Sequence, residues 1–130
     1  MKKKKARFVL AIRLKDSNEF IGHMGFKDGE IVKDGMIELY FGLSKNYWNM
    51  GYGTEALKAA ISFCFDKIGM HRISAGCDID NLASARIMEK AGMVKESHWR
   101  KDRFRYGKWK DGLGFSILKD DYSSNTINNY

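Results

Sequence analysis

At 130 residues the chain has the length of one compact domain, enough for a single hydrophobic core and too little for two. Lys and Arg number 23 against 16 Asp and Glu, a formal charge of +7 that favours an anionic ligand or partner and says nothing of fold. No apolar run approaches the roughly 20 residues that span a bilayer, the first residues are a lysine run rather than a leader peptide, and Cys64 and Cys77 read as free thiols of a reducing compartment, so a cytoplasmic location without membrane insertion is expected.

Residues 1–6 read as a basic tail. Arg7 to Leu14 and Glu19 to Phe26 are rich in β-formers and are separated by the polar Lys15-Asp16-Ser17-Asn18, which predicts an antiparallel hairpin. Asp28-Gly29 and Asp34-Gly35 bracket the next turn. Met36 to Leu43 then alternates, with Ile37, Leu39, Phe41 and Leu43 on one face and Glu38, Tyr40 and Gly42 on the other, a third strand in which Gly42 marks a bulge, a close backbone approach or a packing concession.

Leu57, Ala60, Ile61, Cys64, Phe65 and Ile68 recur at spacings of three and four, which predicts a helix from Gly53 to about Ile68 with Gly69 as its stop. A short strand from His71 to Cys77 follows; with a helix between them, it and Met36 to Leu43 are expected to run parallel. A second helix, Ala83 to Ala91, stops at Gly92. Met93 to about Trp99 and Lys108 to Leu118 close the sheet, joined by a basic connector from Arg100 to Arg105. Residues 119–130 are polar and expected to fray. The domain thus runs over 7–118, an α/β (α+β) unit built on a mixed sheet.

Met50-Gly51-Tyr52-Gly53-Thr54 stands between a strand and a helix, where first-turn N–H groups lack an intrahelical acceptor and the dipole is positive, a setting that suits a pyrophosphate. Asn81 precedes the second helix, as an N-cap or as a ligand-binding amide. His23, His71 and His98 share no metal-ligand spacing with each other or with the cysteines, so no metal is expected.

Taken together, Ile21-Gly22-His23-Met24-Gly25, Glu38-Leu39-Tyr40-Phe41-Gly42-Leu43-Ser44, Tyr47-Trp48 with Gly51-Tyr52-Gly53-Thr54-Glu55-Ala56, and Asn81-Leu82-Ala83-Ser84 with Glu89-Lys90-Ala91-Gly92 resemble the GNAT N-acetyltransferase superfamily, in its RimJ/RimL-like branch. The resemblance covers about Phe8 to Leu118. It implies the GNAT fold with a bulged central strand, acetyl-CoA as cosubstrate, and direct transfer of the acetyl group to a primary amine: a protein N-terminus, a polyamine or an aminoglycoside-like molecule.

Residue by residue, the resemblance puts the pantetheine arm beside Phe41, Gly42 and Leu43, where a bulge N–H would also stabilise the oxyanion. It puts the pyrophosphate against Met50 through Thr54, a pantetheine carbonyl on Asn81, the thioester sulfur near Ser84 and a coenzyme phosphate on Arg86. Glu38 becomes the candidate base, through water, with a salt-bridged strand carboxylate as the alternative; Arg86 has a solvated helix face as its alternative. The family's tyrosine acid falls on Met88, so that role does not carry over. Deprotonating an α-amine at pH 7 costs about 1 kcal/mol against about 4.6 for a lysine side chain, so a terminal amine asks little of a base.

Family members carry a first strand and one or two helices ahead of the position of Arg7, and those elements floor the acceptor site. With almost nothing there, coenzyme binding is expected to survive better than turnover, and an exposed sheet edge suggests a homodimer. Two other readings remain open: an acetyl-CoA-binding domain with little transfer activity, and a basic nucleic-acid-binding module resting on Lys2 to Lys5 and Arg100 to Arg105.

Overall fold

The computed structural model describes residues 7–27 and 34–128. Among them, one six-stranded mixed sheet runs in the order β1-β2-β3-β4-β6-β5, with β1 Arg7–Arg13, β2 Phe20–Lys27, β3 Met36–Leu43, β4 Arg72–Asp78, β5 Val94–Arg105 and β6 Lys108–Leu118. The helices are α1 (Tyr52–Phe63), α2 (Leu82–Lys90) and α3 (Lys119–Asn128). The β1–β2 hairpin is antiparallel, and β3 and β4 run parallel around α1, as the patterning predicts. The Asp28-Gly29 turn lies outside the described residues, while Gly35 takes a left-handed φ of 83° just before β3.

The alternation in β3 and β4 decides where the core lies. Ile37 and Leu39 on β3, and Ile73, Ala75 and Cys77 on β4, are all at most 5% exposed and face the helices. Leu57, Ile61, Cys64 and Met88 cover them from α1 and α2. Each Ile, Leu or Met side chain among these contributes roughly 1.5–3 kcal/mol by leaving water. Burial therefore fixes the strand register, because a slip of one residue would turn Glu38 and Ser74 inward. Past Phe63 the first helix continues as a π-helical turn, Cys64–Ile68, and Gly69 ends it at φ 80°. That stop falls where the glycine predicts it.

Three expectations are corrected. β5 does not end near Trp99. It continues through the basic segment to Arg105 and turns back at Tyr106 and Gly107, both left-handed (φ 52° and 76°). Asp111 makes this possible: it accepts the Lys101 N–H at 2.9 Å and pairs with His98 at 2.7 Å, absorbing the register shift between Trp99 and Arg103. Beyond that shift the Phe104 and Trp109 rings pair across the strands, 5.2 Å between centroids.

The segment expected to fray is α3. Asp121 accepts the Leu118 N–H at 3.1 Å at its start, and the Tyr122 ring stacks on Phe65 while its hydroxyl donates to Asp66 at 2.9 Å. The third correction concerns Gly42. The β2–β3 ladder passes through the His23–Gly42 pair with no register shift, so β3 carries no bulge against β2. Its irregularity lies on the opposite edge.

Candidate functional site

β3 and β4 pair only from Met36, Ile37 and Glu38 to Arg72, Ile73 and Ser74. Beyond these residues β3 stays with β2 and β4 stays with β6, so the two parallel strands part and leave a split in the middle of the sheet. Which backbone groups line the split follows from ladder alternation. The Ser44 N–H donates to the Ile21 carbonyl at 2.7 Å in register with the β2–β3 pairs, so Gly42 and Tyr40 also turn their backbone groups to β2. Phe41 and Leu43 therefore turn theirs into the split. The same argument from Ile79 N–H to Asp111 carbonyl, 3.0 Å, leaves Gly76 and Asp78 on the other lip. Gly42, the expected oxyanion donor, has its N–H committed to β2; Phe41 and Leu43 hold the available donors.

Both helices that follow these strands begin at the wide end of the split. α1 is capped by Gly51 at φ 84°, a conformation that strains any side chain-bearing residue, and open space surrounds the position a Cβ would take. The first intrahelical bond runs from the Glu55 N–H to the Gly51 carbonyl at 3.0 Å, so the N–H groups of Tyr52, Gly53 and Thr54 precede the ladder and lack helical acceptors. Met50 lies beside them, 60% exposed.

Gly53 serves a different end from the one expected. It is buried, and a Cβ there would come within 2.7 Å of Ile87 Cδ1 and 3.2 Å of Leu43 Cδ1. Its missing side chain lets α1, α2 and the end of β3 meet, and its N–H stays without a helical acceptor.

At the start of α2, the Asn81 Oδ1 accepts the Ser84 N–H at 3.1 Å, an N-cap as the simpler expectation has it. Its amide NH2 has no partner among the described residues. Ser84 is half-buried one turn before Ile87 on the same helix face, so α2 presents it toward the end of β3. Arg86 is exposed on that helix with no partner among the described residues.

Glu38 stands apart from this group. It belongs to the last residues that pair with β4, at the closed end of the split, and its carboxylate lies 3.3 Å from the Lys27 ammonium with both side chains nearly half exposed. From Glu38 to Leu43 is about 16 Å of strand. The structure thus gathers Phe41, Leu43, Met50 through Thr54, Asn81 and Ser84 at one end and leaves Glu38 at the other.

The sheet face away from α1 and α2 carries the remaining polar chemistry. A cavity of about 210 Å³ there is lined by Glu38, Arg72, Ser74, Glu96, Trp99 and Arg103, among others. The Arg72 guanidinium grips both oxygens of Glu96 and holds that carboxyl below its ordinary value, while Ser116 Oγ donates to Glu96 at 3.0 Å. Nearby, the His23 imidazole comes up against Gly42 through its Cε1, which a Cβ would meet at 2.7 Å, so Gly42 is also the packing concession its sequence position allowed.

Sequence reasoning missed what holds the turn between β3 and α1. The Trp48 indole N–H donates to the Leu43 carbonyl at 2.9 Å, and the Glu19 carboxylate near the Tyr47 hydroxyl raises the phenol pKa. Trp48 was visible only as a motif letter. A tryptophan left half exposed beside a glycine-rich turn is the signal that its N–H has work to do.

Comparison with known proteins bears on this arrangement. A family model described as the acetyltransferase (GNAT) domain matches residues 1–94. An uncharacterized N-acetyltransferase of Bacillus subtilis, YnaD, is 31% identical over 110 residues, covering 85% of this chain and 64% of its own length. The uncharacterized N-acetyltransferase p20 of Bacillus licheniformis is 30% identical, covering 87% of this chain and 63% of its own length, so the chain spans less than two thirds of either relative.

Among solved structures, a GNAT-family acetyltransferase from Bacillus anthracis superposes with a TM-score of 0.79 at 29% identity, over 86% of this chain and 66% of that one. A spermidine/spermine N-acetyltransferase from Vibrio cholerae reaches 0.83 at 19% identity, over 92% and 71%, a likeness of fold alone. With its split parallel pair, its glycine-capped helix and this match across most of its length, the chain belongs to the GNAT acetyltransferase family.

Proposed function

We propose that the chain binds acetyl-CoA in the split between β3 and β4 and serves the transfer of its acetyl group to a primary amine. The observation that carries this reading is the pair of open lips: Phe41 and the Leu43 N–H on one side and Gly76 on the other present backbone groups inside a sheet that find no ladder partner among the described residues, where such groups are costly unless something completes them. An amide-bearing chain completes them as an added strand does. At the wide end, the N–H groups of Tyr52, Gly53 and Thr54 and the positive end of the α1 dipole suit a diphosphate, with Gly51 shaping the approach.

When bound, the coenzyme supplies the activated acyl group; the chain's own residues hold and orient it. The Asn81 NH2 donates to a carbonyl of the arm, the Ser84 hydroxyl faces the sulfur, and Arg86 reaches a phosphate from the solvent side. The N–H groups of Phe41 and Leu43 are the donors free to bear charge on the acyl oxygen, in place of Gly42. Glu38 takes the amine's proton through water. Polyamines belong to the acceptor class on the fold likeness to a spermidine/spermine N-acetyltransferase; the carboxylates on the open face, Glu38 and Glu96, are already paired with Lys27 and Arg72 and would have to exchange those partners for a polycation. Among the described residues no strand pairs with the outer edge of β1, which offers a second copy a place to pair.

The distance between Glu38 and the Asn81–Ser84 group favours a second reading, in which the chain binds the coenzyme and transfers slowly. Calorimetry with CoA and acetyl-CoA, followed by thiol release with N-terminal peptides, polyamines and aminoglycosides, separates the two. Sub-millimolar binding is expected, with turnover that Glu38→Gln lowers while binding is unchanged. Binding without turnover on any acceptor supports the second reading, and no binding at all overturns both.

A further inference from the structure

We propose that Trp48 is a positioning residue that couples the two halves of the coenzyme site, the strand edge that takes the arm and the helix end that takes the diphosphate. The inference rests on the coenzyme reading above. Trp48 lies in the turn from Ser44 to Gly51 that joins those halves, and its indole N–H donates to the Leu43 carbonyl at 2.9 Å. By the alternation of the β2–β3 ladder that carbonyl points into the split. The indole therefore takes the last acceptor on the open edge of β3. Next to it, Phe41 offers a ligand strand both its backbone groups and Leu43 its N–H. The bond sets where that edge ends.

The same bond fixes how the turn leaves the strand. A 3₁₀ turn at Lys45–Tyr47 is followed by Asn49 at φ 63° and Gly51 at φ 84°, two left-handed residues within three positions. A chain so bent has several ways to run, and a tie to Leu43 selects one of them. Trp48 is 49% exposed, so burying its ring is not the main reason for its place; the donated N–H is. With the tie made, the N–H groups from Tyr52 to Thr54 stand at a fixed reach from those of Phe41 and Leu43. One ligand long enough to touch both sets then gains the effective-concentration advantage of two linked sites.

Trp48→Phe keeps the ring and deletes the donor. Affinities of wild type and variant are measured by NMR titration for CoA, for pantetheine and for 3′-phosphoadenosine 5′-diphosphate, alongside thermal unfolding. The expected result is a loss of about tenfold for CoA with each fragment changed by less than about twofold and an unaltered melting temperature, because each half survives and only their spacing relaxes. Unchanged CoA affinity in the variant overturns the inference. So does an equal loss for CoA and both fragments, which marks a merely structural role. Failure of the wild type to bind CoA or either fragment instead removes the coenzyme reading, and the inference with it.

Discussion

Gly51 and Gly53 stand two residues apart in one motif and are needed for unrelated reasons. Gly51 is needed for its backbone, since φ is 84° and nothing lies within 4 Å of a Cβ there. Gly53 is needed for its volume, pressed between Ile87 and Leu43. Gly51→Ala is expected to cost about 1–2 kcal/mol from left-handed strain, and Gly51→Asn less, because asparagine tolerates that region. Gly53→Ala is expected to cost roughly 1–3 kcal/mol through overpacking, and Gly53→Asn more, reversing the order. Urea unfolding of the four variants checks both orders. The sequence marked both glycines as a ligand turn, and only the positive-φ role is legible from a Gly before a helix. The neighbour that excludes a side chain at Gly53 comes from α2, more than thirty residues on, and tertiary closeness of that kind has no local signature.

Among the elements, α1 shows how burial reaches into chemistry. Cys64 opens its π-helical turn, is fully buried, and burial raises its thiol from the ordinary 9.0 to about 11. The native state thus favours the protonated thiol. Its contribution is complete below pH 9, where folded and unfolded thiols are both protonated, and is lost as pH rises from 9.0 toward about 11, where only the unfolded chain ionises. Stability by urea unfolding is expected to fall more steeply over that range in wild type than in Cys64→Ala, which starts lower by about 1 kcal/mol for its small cavity but declines less.

The elements themselves were legible wherever hydrophobic period and a glycine stop agreed, as in α1 with Gly69 and α2 with Gly92. They were illegible where partners from elsewhere decide the matter. Nothing in Arg100-Lys101-Asp102-Arg103 announces a strand until Asp111 is placed opposite it. The last helix needed Phe65 and Asp66 to receive Tyr122.

Across the whole molecule the formal charge of +7 is spent unevenly. Of the six cations from Arg100 to Lys110, three are engaged at the end of β4, Arg103 and Arg105 with Asp78 and Lys110 with Asp80. The basic run is thus partly a bracket tying the β5–β6 hairpin to the turn ahead of α2, which weakens its claim as a nucleic-acid surface. The Asn81–Ser84 group sits on the strand end this bracket holds. Family and fold could be read from motifs spread along the chain. The separation of Glu38 from that group could not, because it depends on where two strands stop pairing.

The parted strands also leave an isotopic signature. In deuterated buffer the amides of Tyr40 and Gly42, locked to β2, should retain hydrogen for long times, while those of Phe41 and Leu43 between them should exchange almost as fast as a loop's, giving an every-other-residue pattern in an interior strand. Residue-resolved exchange that finds all four equally slow would mean the sheet is closed. A molecule that completes the sheet should silence the fast pair and leave the slow pair as it was.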